Sequence, residues 1–505
     1  MNRYDRWHYP NHPHAAAHPD RLATMGRLFG LSAAPIDTCC VLEVGCSTGH
    51  HLLPIAASFP NATFVGLDAS ASQLQVAEAL RDALGLTNVR FVHADLQQID
   101  AALGSFDYIL AHGVFSWVDD AAQHALLGLC HRHLADHGIA YIDYNTYPGW
   151  HMRSLARDFM RFHAERIAEP EQQVCAGREA LDLVAKLEGP EPATLYRQIL
   201  RAEVDQLSGS EDAYIFHDQL APVNTPRYFL QFMEAAASAD LQYLGDAEVA
   251  TMWDAQLPAQ ARQLIASAGR NLLDKEQYRD FVRNRFVRET LLCKAGVSIE
   301  RNLDAAKLAG LFVATELRLR DAGAAPETTG SPVTFEHPRS KRELSTTSEL
   351  TRRGFELVAS RWPGWIAFDE LVDTVVAGEP SAGAPQPSRD EVAEQLGNAL
   401  IESYLSEMVE LHAVAPPFVI TVSDRPVASP VARQGAVEHH RVINRRHEYV
   451  AVDAIENDLL SWLDGEHDLA ALAARVRATH MLRDDVEPLV MGKLERFARC
   501  ALLIA

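Results

Sequence analysis

No CxxC pair occurs in this chain, and its seven cysteines (Cys39, Cys40, Cys46, Cys130, Cys175, Cys293 and Cys500) show no zinc-ribbon or dithiol spacing. They are expected to be reduced, mostly buried thiols in a cytoplasmic protein. No uninterrupted apolar run approaches the ~18 residues of a membrane-span candidate, and no basic start leads into an apolar signal-type stretch. Neither membrane insertion nor secretion by such a signal is expected. Positive charge is also short, with 46 Lys and Arg against 68 Asp and Glu for a formal net charge of −22. A phosphate backbone would be repelled except at a local basic patch, so nucleic acid is not an expected partner. His8, His12, His14 and His18 come without cysteine or carboxylate at a recurring ligand spacing, and DGEHD at 464–468 lacks the ligand series of a calcium loop. No metal is expected.

What the chain does carry is concentrated between Val41 and Asp68. VLEVGCSTG opens as an apolar strand, turns on Gly45 and Gly49, and leads into the helix-compatible run HHLLPIAASF. A second strand, TFVGLDAS, then ends on Asp68. This is the start of an alternating α/β unit around a nucleoside-containing ligand: glycines admit a close backbone approach, and an aspartate accepts both ribose hydroxyls. The GxGxxG spacing of dinucleotide folds is absent, which argues against a nicotinamide cofactor. RFVHADLQQID reads as a third strand ending near Asp95, SFDYILAHGVFSWV as a fourth, and HRHLADHGIAYIDYNTYPGW as a helix end, a turn at Gly138 and a fifth strand. Ligands of open parallel sheets bind at such carboxyl ends.

The first motif resembles the ExGxGxG motif of class I S-adenosylmethionine methyltransferases, with Ser47 at the middle glycine position. The replacement implies that this position does not need positive φ. A seven-stranded, Rossmann-like α/β sheet follows from the resemblance. At 505 residues, two or three domains are expected. The N-terminal segment 1–34 reads either as an arm across the cofactor cleft, offering Tyr4, Tyr9 and His18 for stacking or hydrogen bonds, or as an inert surface arm. Residues 35–250 read as the sheet domain, with a helical insertion at about 152–212 roofing the site. DAYIFHDQL and LQYLGDAEV are expected to supply its last two strands. Residues 251–345 read as a helical middle region, in which Arg283, Arg285, Arg288 and Glu289 look like a solvated helical face. Residues 346–505 read as winged-helix-like, with a linker at about 378–389 and a protein-contact role.

Blocks along nearly the whole chain carry a closer resemblance: YDRWHYP, HPDRLATMGRLFGL, LEVGCSTGHHLLPIA, HGVFSW, YNTYPGW, IFHDQLAPVNTPRYFLQF, FVRNRFVRETLLC, RPVASPVARQGA and LSWLDGEHD. The chain is similar to the bacterial protein lysine methyltransferases that carry a methyltransferase regulatory domain, a group known for modifying outer-membrane surface proteins. The resemblance implies S-adenosylmethionine as cofactor, S-adenosylhomocysteine as product, and cofactor contacts from Glu43, Gly45, Cys46, Gly49, Asp68, Asp95 and His112. A protein substrate, such as a surface or outer-membrane protein before export, is the implied partner. A lysine amine has an ordinary pKa near ~10.4, so it needs a dry pocket that favours its neutral form. Trp117, Tyr144, Tyr147 and Trp150 follow strands four and five, where such a pocket would lie, and Trp117 and Tyr144 are the expected acceptor-positioning residues. Phe115 belongs to the same set, though Phe115 and Trp117 are equally readable as core. Methylation of a small molecule and a non-catalytic binding module stand as the alternatives.

Overall fold

The computed structural model describes residues 3–9, 12–99, 103–187, 194–320, 332–378, 386–438, 441–483 and 485–505. A central parallel strand is covered on both faces and must be apolar nearly throughout. Val41, Leu42 and Val44 meet that condition. The sheet contains β1 (Cys40–Val44), β2 (Thr63–Asp68), β3 (Val89–His93), β4 (Phe106–Ala111), β5 (Leu134–Asn145), β6 (Leu241–Asp246) and β7 (Val287–Lys294), in the order β3-β2-β1-β4-β5-β7-β6. Pairing is parallel from β3 through β5, and β7 runs antiparallel between β5 and β6. Strand order reverses between β1 and β4, which opens a crevice at their carboxyl ends. Helices Leu52–Ser58, Ala71–Ala83 and Asp120–His133 make the crossovers. Ser70 and Asp119 begin two of them, their side chains accepting from the backbone N–H of Gln73 and Ala122.

The last two strands differ from the sequence expectation. DAYIFHDQL is a single helical turn, Asp212–Tyr214, followed by a π-helical turn, Ile215–Gln219. The missing strand is β7, from the block read as helical. Helix Leu272–Arg283 ends at Asn284, whose φ of 47° turns the chain. The sheet therefore closes at residue 294, beyond the expected boundary at 250. Arg285 and Arg288 are not part of a solvated face, whereas Arg283 is half-buried. Arg288 is fully buried and reaches Asp246 at 3.0 Å, Glu276 at 2.9 Å and Asp280 at 2.9 Å, while Arg285 reaches Asp246 at 2.6 Å. Buried charges need such partners, and these tie β6, β7 and the preceding helix together.

On β5 the side chains alternate. Ile139 and Tyr141 join the apolar cluster containing Leu22 and Met25 of the N-terminal helix Pro19–Leu28, whereas Ala140, Ile142 and Tyr144 join Phe115, Phe229 and Phe232 on the other face. The insertion is three helices, Trp150–Ala164, Pro170–Lys186 and Leu195–Leu207, packed around Met160, Val174, Leu181 and Leu200.

The segment 346–505 contains two separately packed cores. In the first, helices Glu349–Ser360, Phe368–Ala377 and Arg389–Leu405 pack with a small antiparallel sheet of Phe312–Ala314, Ile366–Ala367 and Glu410–His412, and their core continues into the N-terminal cluster. In the second, helices Pro430–Glu438, Ala454–Trp462, Leu469–Thr479 and Glu487–Arg499 surround Leu459, Leu472, Leu494 and Phe497, beside the hairpin Arg441–Ile443 and Tyr449–Ala451. Most of the linker expected at 378–389 lies outside the described residues. Among the described residues, no helix is long and apolar enough to cross a membrane.

Candidate active site

The loop after β1 is shaped by two left-handed glycines. Gly45 has φ 74° and Gly49 φ 78°, and a Cβ on Gly45 would stand 2.6 Å from a Val114 methyl carbon. Only glycine suits such a position. Ser47, expected outside this region, is in it at φ 49°. Its left-handed conformation costs roughly 1–2 kcal/mol. Two hydrogen bonds offset that cost: its N–H donates to Asp68 Oδ2 at 2.8 Å and its hydroxyl to Gln73 Oε1 at 2.8 Å. Asp68 Oδ1 accepts from the Ser70 N–H at 2.8 Å. Burial raises Asp68 despite these donors and the Ala69 N–H, and the carboxylate keeps acceptor capacity for a further hydroxyl.

Glu43 is buried beneath this loop. Its Oε2 has no hydrogen-bond partner among the described residues, and burial, then the charge of Asp68, pushes its pKa well up. Cys46 is buried beside it, its thiol likewise raised by burial and by Glu43. Asp95 is exposed and caps the short turn Leu96–Gln98 by accepting from the Gln97 N–H at 2.9 Å.

His112, just past β4, lies 2.6 Å from Asp143 Oδ2 through its Nδ1 and stacks on His14 with centroids 4.1 Å apart. Burial would lower its pKa, but the charge and hydrogen bond of Asp143 outweigh burial and raise it. Asp143 moves the opposite way: burial would raise it, and His112 holds it below the ordinary carboxylate range. Asp143 Oδ1 also accepts from the Gly113 N–H at 2.6 Å. His14 reaches onward to Glu289 at 2.7 Å and to the Tyr141 hydroxyl at 3.0 Å.

Tyr4 and Tyr9 of the N-terminal segment lie on the π-helical turn. The Tyr4 ring stacks on His217 with centroids 4.6 Å apart, and His217 Nε2 donates to the Trp7 carbonyl at 2.6 Å. Tyr4 is raised to about 12, first by burial and then by the charges of Asp218 and Asp68. Tyr9 is raised by burial, then Asp218, and it also responds to Asp143. Its backbone N–H donates to Gln73, the residue that holds Ser47. Asp218 is only 7% exposed and takes hydrogen bonds from the hydroxyls of Tyr9 and Tyr214.

Glu43, Gly45, Cys46, Gly49, Asp68, His112, Tyr4 and Tyr9 are thus gathered around one crevice. The remaining expected residues are distributed differently. His18 accepts from the Asp20 N–H at the start of its own helix and meets Phe59 and, in the C-terminal unit, His447 edge-on. Tyr144 points into the core because its neighbour Asp143 takes the other face of β5. It stacks on Phe232 at 4.1 Å, and its hydroxyl is 3.4 Å from that of Thr290. Phe115 is buried in the same cluster, edge-on to Phe232. Trp117 and Trp150 meet edge-on at 6.3 Å, and the buried Trp150 Nε1 has no partner among the described residues. Tyr147 stacks on His151 at 4.1 Å beside Tyr228.

Asp143, Asp218, His14 and Tyr214 were not expected from sequence. An acid inside the apolar strings YIDYN and YIFHDQL was the available signal, since such an acid is buried only when something needs it. Among the described residues, no group of three or more His, Cys, Asp or Glu could hold a metal ion. The arrangement can take a nucleoside on Asp68 and a cationic group near Glu43, with two buried carboxylates across the crevice.

Comparison with known proteins agrees with this geometry. A methyltransferase domain family matches residues 41–138, a predicted methyltransferase regulatory domain matches 211–294, and the PKMT C-terminal winged helix domain matches 424–484. The regulatory match contains Asp218, β6 and β7. An uncharacterized protein of Rickettsia prowazekii is 30% identical over 531 residues, covering 100% of this chain and 94% of that protein. A second uncharacterized protein of the same organism is 34% identical over 242 residues, covering 48% of this chain and 96% of its own. The structure of PKMT2 from Rickettsia typhi, in complex with AdoHcy, is similar at a TM-score of 0.86 and 26% identity, over 98% of this chain and 100% of that one.

Proposed function

Because the chain belongs to the bacterial class I S-adenosylmethionine-dependent protein lysine methyltransferase family with a methyltransferase regulatory domain, we propose that it methylates lysine side chains of a protein substrate in the cytoplasm. The family's known acceptors make a surface or outer-membrane protein, before export, the substrate of choice. The observation that carries the reading is likeness over the whole chain: the insertion and both C-terminal units, and not the sheet alone, match a PKMT. That much additional surface suits a macromolecular acceptor better than a metabolite.

S-adenosylmethionine fits the crevice. Glu43 offers its unpartnered carboxyl oxygen to an ammonium group, and a bound cation would bring its raised pKa back down. Asp68 has lone pairs for the ribose hydroxyls, and the Gly45–Gly49 backbone leaves room for a close approach. His112 and Asp95 stand at the ends of the flanking strands. When bound, this cofactor supplies a methyl group already activated on a sulfonium. The chain then has to align an amine and keep water out. Trp117 and Trp150 form an aromatic corner suited to a lysine's aliphatic stem, with Tyr4 on the side of Asp68 and Tyr9 beside Asp218.

Calorimetry on the purified chain should find one S-adenosylmethionine site per molecule, lost in Asp68→Ala. Cell extract incubated with methyl-labelled cofactor and then fractionated should carry the label in polypeptide. Preference for a nicotinamide dinucleotide, or label confined to small molecules, would overturn the proposal.

A further inference from the structure

The crevice holds three buried aspartates, and their surroundings sort them by role. Asp68 is tied by three backbone N–H donors, those of Ser47, Ala69 and Ser70, and Asp143 by one N–H and the His112 ring. Asp218 takes its hydrogen bonds from two phenols; the charges of His112, Arg153 and Arg157 act on it from the neighbouring elements, and among the described residues it makes no close ion pair with Lys or Arg. A phenol favours a carboxylate far less than a cation does, so Asp218 is the one left free to gain a proton. Its position is fixed. It is the fourth residue of the π-helical turn Ile215–Gln219, a distortion that re-aims side chains and recurs at functional sites. The turn is held by Arg157, whose Nε donates to the Asp218 carbonyl at 3.4 Å and whose Nη2 donates to the Ala221 carbonyl. Tyr4, Tyr9 and His112 all respond electrostatically to Asp218. Tyr9 links Asp218 to the glycine loop: its hydroxyl bonds Asp218, and its backbone N–H bonds Gln73 at 3.0 Å, the residue that accepts from Ser47, whose own N–H donates to Asp68.

We infer that Asp218 is the proton acceptor for the incoming lysine ammonium, with Tyr9 and Tyr214 as its positioning residues; the inference rests on lysine being the acceptor. In the step, one N–H bond of the ammonium breaks and its proton moves to an Asp218 oxygen, leaving a lone pair on nitrogen. That lone pair forms the N–C bond to the methyl carbon as the C–S bond breaks, and the bonding pair of C–S stays on sulfur. The proton on Asp218 then passes to water. Burial supports the role by pushing the Asp218 pKa up to about 7, against the pull of Tyr214 and Tyr9. A carboxylate of that basicity is partly ionised at neutral pH and is a much better acceptor than an ordinary aspartate.

The test uses the full chain, methyl-labelled S-adenosylmethionine, and an outer-membrane protein fraction unfolded in urea and diluted as probe, with lysine methylation read by peptide mass spectrometry. The wild-type kcat should fall as pH drops below about 7. Asp218→Asn should bind the cofactor with unchanged affinity but lose about 100-fold or more in kcat, together with that acid limb. Tyr9→Phe removes a donor that favours the ionised form, so its acid limb should move to higher pH, a shift that a merely structural tyrosine would not cause. If the wild type methylates lysine while Asp218→Asn keeps its kcat within a few-fold and retains the limb, the inference is overturned. Should Asp218→Asn fail to bind cofactor, an unmoved limb in Tyr9→Phe overturns it instead. Wild-type label found only outside lysine overturns the lysine reading itself, before any variant is made.

Discussion

Replacing Arg288 probes the part of the fold that the sequence most disguised. The guanidinium is fully buried, bonds three carboxylates (Asp246, Glu276 and Asp280) and the Glu276 carbonyl, and lies 3.9 Å over the Phe229 ring. Arg288→Met keeps much of the volume and deletes the charge, leaving Arg285 and Arg279 to serve the same acids. Breaking a buried pair from one side costs about 3–5 kcal/mol, which for a domain of this size lowers Tm by roughly 6–20 °C. The loss depends on pH. Burial would raise Asp246, yet Arg288 and Arg285 hold it below the ordinary range, so it stabilises the wild type above its unfolded pKa and ceases to as pH falls. In the variant the same acid is easier to protonate, and the gap between the two proteins should widen from about pH 4 to pH 7. Urea denaturation at pH 4.5, 6 and 7.5 reads both the size and the trend. Equal stability at pH 7.5, or a gap that shrinks as pH rises, would refute the reasoning.

Three further outcomes follow from the same structure. Gly45→Ala, forced against Val114 at a φ of 74°, should lose S-adenosylmethionine binding by calorimetry while circular dichroism reports a folded chain; wild-type affinity would contradict the loop geometry. Tyr144→Phe should keep turnover within about two-fold, because its hydroxyl makes one long bond in the core, whereas Tyr144→Ala should cost about 3–5 kcal/mol of stability; a large kcat loss in the Phe variant would return Tyr144 to the site. His51 and His447 touch at 2.7 Å with both pKa values pushed well below 6.5, by burial first. The unfolded chain therefore takes up protons below about pH 6.5 that the folded chain refuses, and Tm should fall there. A His447→Gln variant with the same acid sensitivity as wild type would count against this contact.

The strands β1, β2 and β4 were legible because each carries a distinctive run: VLEV and TFVGLD are apolar strings closed by glycine or acid, and FDYILA is one that leads into His112 and Gly113. β7 was not, since VRETLLCK carries the polar residues of a surface helix and only its partners in space, Asp246 and Asp280, explain them. In the site, Gly45 and Asp68 stood out by spacing and Glu43 only through the family resemblance, while the arm carrying Tyr4 and Tyr9 read equally as a cleft cover and as an inert surface segment. Tyr144 faces the core and Asp143 faces His112 because strand alternation places neighbours on opposite faces, and sequence alone does not say which face meets the crevice. Asp218 was hidden in a segment that looked like a strand and is a π-helical turn. Ser47 shows the converse: a residue type that argued against a left-handed turn is held in one by Asp68 and Gln73.

The central claim, methyl transfer to lysine of a protein, is tested most directly by locating the transferred group. Bacterial extract protein is incubated with the purified chain and deuterated-methyl S-adenosylmethionine, digested, and sequenced by tandem mass spectrometry. The account predicts deuterated methyl groups on lysine ε-nitrogens, absent when Asp68→Ala replaces the wild type. Label fixed on another side chain, or equal lysine labelling by the Asp68→Ala chain, would contradict it.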